Sequence, residues 1–390
     1  MTLSAAGTES VLTMRRLVDE HLLAHEDITE SSGDVPPAVI QALQTNGAFG
    51  LSIPIEYGGA GLALAEEVEA VRELGRASAA FRSLVGINLG VGSQAIQRFG
   101  DEAQRREWLP QMASGEVIAS FALTEDTAGS DAMAVRTSAV HTPEGWRLDG
   151  RKRFVTNAPH ATVATVIAVT DPERRAERKH LSAFIVPLSS EGVTVHERHR
   201  LLGQRGGYWA DVTFDGVLLP SSSLIGTRGG GVTVMRALLD RSRIHVAALA
   251  AGQAQRLITE MLDHATRRFQ FGKELASQQL VQAMIADSYA EAYAIDTQVR
   301  DAAAQYDDGQ DVSVRAAAVK MFATESVGRI ADRAVQILGA TGLTSGHPVE
   351  RIYRDVRLLR FIEGTTQMQQ INIARGLLRE HRDRRANHAV

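Results

Sequence analysis

The chain contains no cysteine. Disulfides, thiolate metal sites and cysteine nucleophiles are therefore excluded. Aromatic residues make up only 5% of its 390 residues, so a core must be filled by Ala, Leu and Val within a hydrophobic fraction of 44%. Lysine is scarce: Lys152, Lys179, Lys273 and Lys320 stand against abundant arginine. That imbalance reads first as a coding bias. The net charge is only −4, so no global electrostatic pull toward nucleic acid is expected. No apolar run approaches membrane-spanning length. The first thirty residues lack an apolar stretch between a basic start and a cleavage site. The expectation is a soluble, cytoplasmic protein with neither a membrane nor a nucleic-acid partner. His21 and His25 lie four apart, but no further ligand cluster follows them, so no metal is expected.

Proline is missing between Pro220 and Pro348. An interior proline costs a helix about 3 kcal/mol, so this span suits long unbroken helices. Within it Ile244, Ala247, Ala248, Ala251, Ile258, Met261 and Leu262 recur at helical spacing, as do Val281, Met284, Ile285, Tyr289 and Tyr293. The turn Tyr306-Asp307-Asp308-Gly309 predicts a break between two helices. The middle of the chain is rich in turns and short β-branched runs: Thr162 to Thr170, Ala183 to Pro187 and Val212 to Phe214 are strand candidates. Helical patterning returns at Val11–Leu23, Val39–Thr45, Ala63–Leu74 and Ala103–Met112. The fold class is α+β. We expect an N-terminal helical domain over residues 1–118, a central antiparallel β-domain over 119–226 and a C-terminal four-helix bundle over 227–390. The polar tail after Glu380 predicts a frayed end.

Six stretches carry candidate chemistry. Leu123-Thr124-Glu125-Asp126-Thr127-Ala128-Gly129-Ser130-Asp131 combines hydroxyls, a glycine and small side chains, which allow a ligand close to the backbone. The same composition also fits an ordinary polar turn. Arg151-Lys152-Arg153-Phe154-Val155-Thr156-Asn157 offers an aromatic and a hydroxyl, or simply a strand with a core phenylalanine. His264-Ala265-Thr266-Arg267-Arg268-Phe269-Gln270-Phe271-Gly272-Lys273, followed by Gln279, offers donors for phosphate, or a basic helix end favoured by the dipole. Gln336-Ile337-Leu338-Gly339-Ala340 is a turn. Asp240 and Arg243 open onto a helix, where a solvated first turn is the plainer reading. Glu363-Gly364-Thr365-Thr366-Gln367 sets one carboxylate beside a flexible turn and two hydroxyls, or is just a helix start with an acid.

Taken in order and spacing, these stretches resemble the acyl-CoA dehydrogenase family over roughly residues 10 to 380. The resemblance implies FAD as cofactor and α,β-dehydrogenation of an acyl thioester, with Glu363 as α-proton base and hydride transfer to the flavin. It implies that Phe121, Leu123, Thr124, Ser130, Phe154, Thr156, Thr365 and Gln367 meet the flavin. Arg268, Phe271, Gln279, Gln336, Gly339 and Ala340 would contact its pyrophosphate and adenosine from a neighbouring subunit. Ser130, Asp240, Arg243 and Gly364 would line the thioester site. The resemblance further implies fatty acid metabolism, a homodimer or homotetramer, and an electron-transferring flavoprotein as acceptor. An acyl carrier protein could replace CoA in a biosynthetic pathway; a nucleic-acid-binding flavoprotein relative is the remaining alternative. Some family members carry the base near the position of Ser242, but a serine cannot serve as that base. Asp126 stands where the family usually has proline, Ala340 where it has glycine, and Ile362 where many members have tyrosine. The exposed basic run Arg174, Arg175, Arg178, Lys179 predicts a solvated hairpin tip, or a contact with an acidic partner.

Overall fold

The computed structural model describes residues 3–387. The N-terminal region is helical: α1 (Ala5–Leu17), α2 (Glu26–Ser32), α3 (Pro37–Thr45), α4 (Leu64–Leu74), α5 (Ala79–Ile87), α6 (Ser93–Phe99) and α7 (Glu102–Ser114). The sheet follows, with β1 (Ala119–Ala122), β2 (Ser138–Thr142), β3 (Gly145–Thr156), β4 (Val163–Val169), β5 (Leu181–Pro187), β6 (Val193–Arg198), β7 (Trp209–Leu219) and β8 (Leu224–Ile225). The chain closes with α8 (Gly231–Arg267), α9 (Gln279–Asp307), α10 (Ser313–Leu338), α11 (Pro348–Leu359) and α12 (Thr366–Asn387).

The three expected strands are β4, β5 and the middle of β7. Strand order is β6-β7-β3-β2-β4-β5-β8, and most pairings are antiparallel. β1 departs from that pattern by pairing in parallel with β4, so that Ala122 lies opposite Val166. The break expected at Tyr306–Gly309 is present: α9 ends at Asp307 and Gly309 turns with φ +73°. Helix α12 continues to Asn387, where the sequence predicts fraying after Glu380. Helices α5 and α6 are short, nine and seven residues, and are not among the helices the sequence predicts.

Two contacts position the site. First, α4 ends against the middle of α8 at a glycine crossing. A methyl group on Gly252 would fall 2.8 Å from backbone atoms of Gly75, so only hydrogen at both positions permits the approach. Gln253 also donates to the carbonyl of Ala77 at 2.9 Å. Second, α5 runs into a π-helical turn, Asn88–Gly92. A π turn adds one residue to the helix and often marks a functional region. Buried Asn88 fixes it by donating to Met112 O at 3.0 Å and accepting from Ala119 N at 2.9 Å.

Candidate active site

Glu363 sits in the turn between α11 and α12, with φ +54°, followed by Gly364 at φ +95°. Left-handed backbone at a glutamate is costly, and it persists here because three side chains tie the turn down. Arg243 Nε donates to Glu363 O at 3.3 Å, and Gln369 Nε2 donates to the same oxygen at 2.9 Å. Gln369 Nε2 and Lys320 Nζ each donate to Gly364 O at 2.9 Å. Lys320 also reaches Arg360 O at 3.2 Å. Gly364 is required twice, by its φ and because a Cβ there would lie 2.7 Å from the Gln369 amide nitrogen.

Burial raises the Glu363 carboxyl above its ordinary pKa. A hydrogen bond from Ser242 and the charges of Arg243, Lys320 and Arg82 oppose that rise without cancelling it. Asp240 holds Arg243 at 2.7 Å, and its own pKa is raised by burial. Lys320 is fully buried, and loss of hydration pulls its ammonium down to about 8 despite the attraction of Glu363.

Glycines of the π turn pack closely on their neighbours. A methyl at Gly90 would meet Ser242 Oγ at 3.6 Å, and one at Gly92 would press on Ala119. Phe121 and Leu123, at the end of β1, pack in one cluster with Val91 and Leu238. Glu363, Ser242, the π turn and the end of β1 are thus adjoining links.

Beyond β1, Glu125 organises the loop. Its carboxylate accepts from Arg136 N at 2.6 Å, Thr137 N at 2.9 Å and the buried Lys152 Nζ at 2.8 Å. Lys152 Nζ also donates to Leu123 O at 3.0 Å, and Thr124 O accepts from Arg153 N at 2.7 Å. Ser130 stays exposed, and the space beside Gly129 is open. Phe154 lies in a β-bulge, because Lys152 and Val155 oppose Val212 and Ala210 with an extra residue between them. A bulge re-aims a side chain. Phe154 adopts φ +52° and leaves 42% of its surface exposed. Asp211 anchors the bulge, accepting from Phe154 N at 3.2 Å, Arg151 Nη2 at 2.7 Å and lying 2.7 Å from His199 Nε2. Burial pushes the Asp211 pKa up, but His199, Arg151 and the Phe154 amide together bring it down to about 2. Thr156 pairs with Trp209 across β3 and β7, which places both side chains on one face.

The remaining expected residues form a second group. Arg268 and Leu338 border a cavity of about 290 Å³ with His264, Arg267 and His347. Gln336 lies in the last turn of α10, and Gly339 turns with φ +61°. Ala340 has no positive φ, so alanine is accommodated where the family has glycine. Phe271 is 93% exposed at the tip of a two-residue hairpin, and Gln279 begins α9. Among the described residues no hydrogen bond joins this group to the Glu363 turn. Thr365 Oγ1 accepts from Met368 N at 3.3 Å, and Gln367 is exposed on α12.

Sequence reasoning missed Lys320, Gln369, Asp211 and Arg82. Two of them carried a signal. Lys320 is a lone lysine amid an apolar helical pattern, and Asp211 interrupts an apolar strand.

Family profiles for the N-terminal, middle and C-terminal domains of acyl-CoA dehydrogenase match residues 8–116, 120–217 and 229–378 in turn. The chain belongs to the acyl-CoA dehydrogenase family. It is 33% identical over 375 residues to an acyl-CoA dehydrogenase of Bacillus subtilis, covering 95% of this chain and 98% of that protein. It is 35% identical over 382 residues to the human mitochondrial very long-chain specific acyl-CoA dehydrogenase, covering 95% of this chain but 58% of that one. The chain thus spans little more than half the length of its very long-chain relatives. The structure of butyryl-CoA dehydrogenase from Megasphaera elsdenii superposes with a TM-score of 0.94 at 27% identity, covering 97% and 99% of the two chains. A glutaryl-coenzyme A dehydrogenase in complex with glutaryl-CoA gives 0.93 at 29%, covering 97% and 96%.

The cofactor of acyl-CoA dehydrogenases is FAD, and the residues here fit it. Trp209 Nε1 is buried without a partner on the face it shares with Thr156. Phe154 presents an open aromatic surface beside them. Arg268 offers donors suited to a pyrophosphate at a cavity that Glu260 and Asp263 also line.

Proposed function

We propose that this acyl-CoA dehydrogenase relative desaturates an acyl thioester between Cα and Cβ. The observation that carries the reading is the Glu363 carboxyl, raised in pKa and held on a rigid turn. Such a group is a competent base for a weakly acidic α-proton. Bound FAD supplies the acceptor for the β-hydride. The chain's own work is positional. Glu363 takes the α-proton, and the β-hydrogen leaves with its electron pair, so the new double bond balances both losses. Ser242 and Arg243 hold the base. The Glu363 main-chain N–H is the chain's donor to the thioester oxygen as negative charge develops there.

Phe121, Leu123, Thr124, Phe154, Thr156, Thr365 and Gln367 hold the flavin in this reading, with Ser130 toward both cofactor and thioester. Arg268, Phe271, Gln279, Gln336, Gly339 and Ala340 serve the site of a second copy. The exposure of Phe271 at 93%, Leu280 at 81% and Leu343 at 69% supports burial in a homodimer or homotetramer. Electron-transferring flavoprotein is the proposed acceptor, and fatty acid metabolism the proposed setting. No described helix is long and apolar enough to cross a membrane. The test is an anaerobic panel of acyl-CoAs added to the yellow protein. Bleaching by one ester supports the reading. Failure with all CoA esters and with acyl carrier protein thioesters overturns it.

A further inference from the structure

Glu67 in α4 is fully buried, and two residues of α8 one helical turn apart meet its carboxylate. Arg241 Nη2 pairs with Oε2, and His245 Nε2 lies 3.3 Å from Oε1. Ser52 flanks the same carboxylate, Arg82 of α5 also acts on it, and the ring of Tyr306 from α9 lies 5.8 Å from the Arg241 guanidinium. Burial would raise the Glu67 pKa, but Arg241 and His245 bring it down; burial lowers the His245 pKa. The cluster is therefore a carboxylate, a guanidinium and a neutral imidazole. Stability does not account for it. Glu67 Oε1, Arg241 Nε and both His245 ring nitrogens are buried without a hydrogen bond. A buried ion pair so poorly satisfied is worth little against well-packed apolar side chains.

The two contacts together do what one alone cannot. Residues 241 and 245 are four apart and share one face of α8. By meeting both, a single carboxylate on α4 fixes the rotation of α8 as well as its position. Ser242 and Arg243 lie within the same turn, each about 100° further round. They are the residues that hold the base: Ser242 bonds the Glu363 carboxyl, and Arg243 Nε donates to Glu363 O at 3.3 Å. Turning α8 by about 10° would carry a side-chain tip, about 5–6 Å from the axis, through about 1 Å. A misplacement of about 1 Å can slow a reaction on the order of 10²-fold.

We propose that Glu67 is a positioning residue for the base: through Arg241 and His245 it sets the rotation of α8 that aims Ser242 and Arg243 at Glu363. The inference rests on the dehydrogenation reading and extends its machinery to α4.

The test is anaerobic flavin reduction across pH in the FAD-loaded protein, with the best acyl-CoA. Glu67→Gln keeps the volume and removes the charge. It should lower the limiting rate at least tenfold while half-saturation stays within twofold. Arg241 then stands uncompensated beside Ser242, so the limb set by Glu363 ionisation should move to lower pH. Glu67→Leu combined with Arg241→Met removes both charges and keeps an apolar fill, and it decides the matter where the single variant does not fold. Its pH limb should return toward the native position while its rate stays low. A native rate in the double variant overturns the inference, and so does an unmoved pH limb in Glu67→Gln. A change in Tm alone marks a merely structural pair and also overturns it. Each of these results leaves dehydrogenation by the native protein standing. Bleaching of the native protein by no thioester at all overturns both.

Discussion

Lys320 Nζ donates to the main-chain carbonyl of Gly364 at 2.9 Å and so fixes the residue next to the base. The second bond, to Arg360 O, clamps the turn from its other end. A charged donor is thus spent on backbone rather than on a carboxylate.

Lys320→Met should leave Arg360 O without its side-chain donor, at a cost of about 1–3 kcal/mol, while Gly364 O keeps Gln369. We expect a lower Tm and slower flavin reduction with little change in half-saturation. The pH dependence adds a signature. The folded pKa of about 8 lies below the unfolded value of about 10.4, so the charged form is disfavoured in the folded chain. Stability should therefore rise as pH climbs from about 8 to about 10.4, and this rise should vanish in Lys320→Met. Chemical denaturation across that range checks it.

Glu363 predicts the opposite slope. Its raised pKa means that ionising it costs more in the folded chain than in the unfolded one. The native protein gains from protonation and loses that gain as pH rises through the folded pKa. Glu363→Gln should be more stable than the native protein at neutral pH. The difference should close below the unfolded pKa of about 4.3. Urea midpoints at pH 7 and pH 4 measure both arms.

Asp211→Asn removes the anchor of the Phe154 bulge. The folded pKa of about 2 against the ordinary 3.8 corresponds to on the order of 2 kcal/mol of stability. That contribution is present above the unfolded pKa and lost as pH falls toward 2. We expect weaker FAD retention on gel filtration and a shallower acid-unfolding curve in the variant.

Arg268→Ala should lower FAD content without lowering the Tm of the FAD-free protein, because Arg268 borders an open cavity and not a core. Absorbance at flavin wavelengths against protein concentration, with light scattering for the oligomer, measures the effect. Unchanged FAD content would place the cofactor elsewhere.

The architecture was legible because its signals are long and local. A proline-free span gave the C-terminal helices, and β-branched runs gave β4 and β5. The ends of the site, Glu363-Gly364 and Leu123-Thr124, were legible as motifs. Lys320 and Asp211 stood out only as lone charges in apolar patterns; the partners they hold, Gly364 and Phe154, lie 44 and 57 residues away, and local spacing carries no trace of such pairings. The Phe154 bulge was hidden for a related reason: register slips arise from pairing with β7, not from β3 alone.

The most direct test is anaerobic flavin reduction in Glu363→Gln beside the native protein, with the best acyl thioester. The account predicts equal FAD content and a rate lower by about 10²–10⁴-fold, the scale of a lost general base. Native-like reduction in the variant would contradict it.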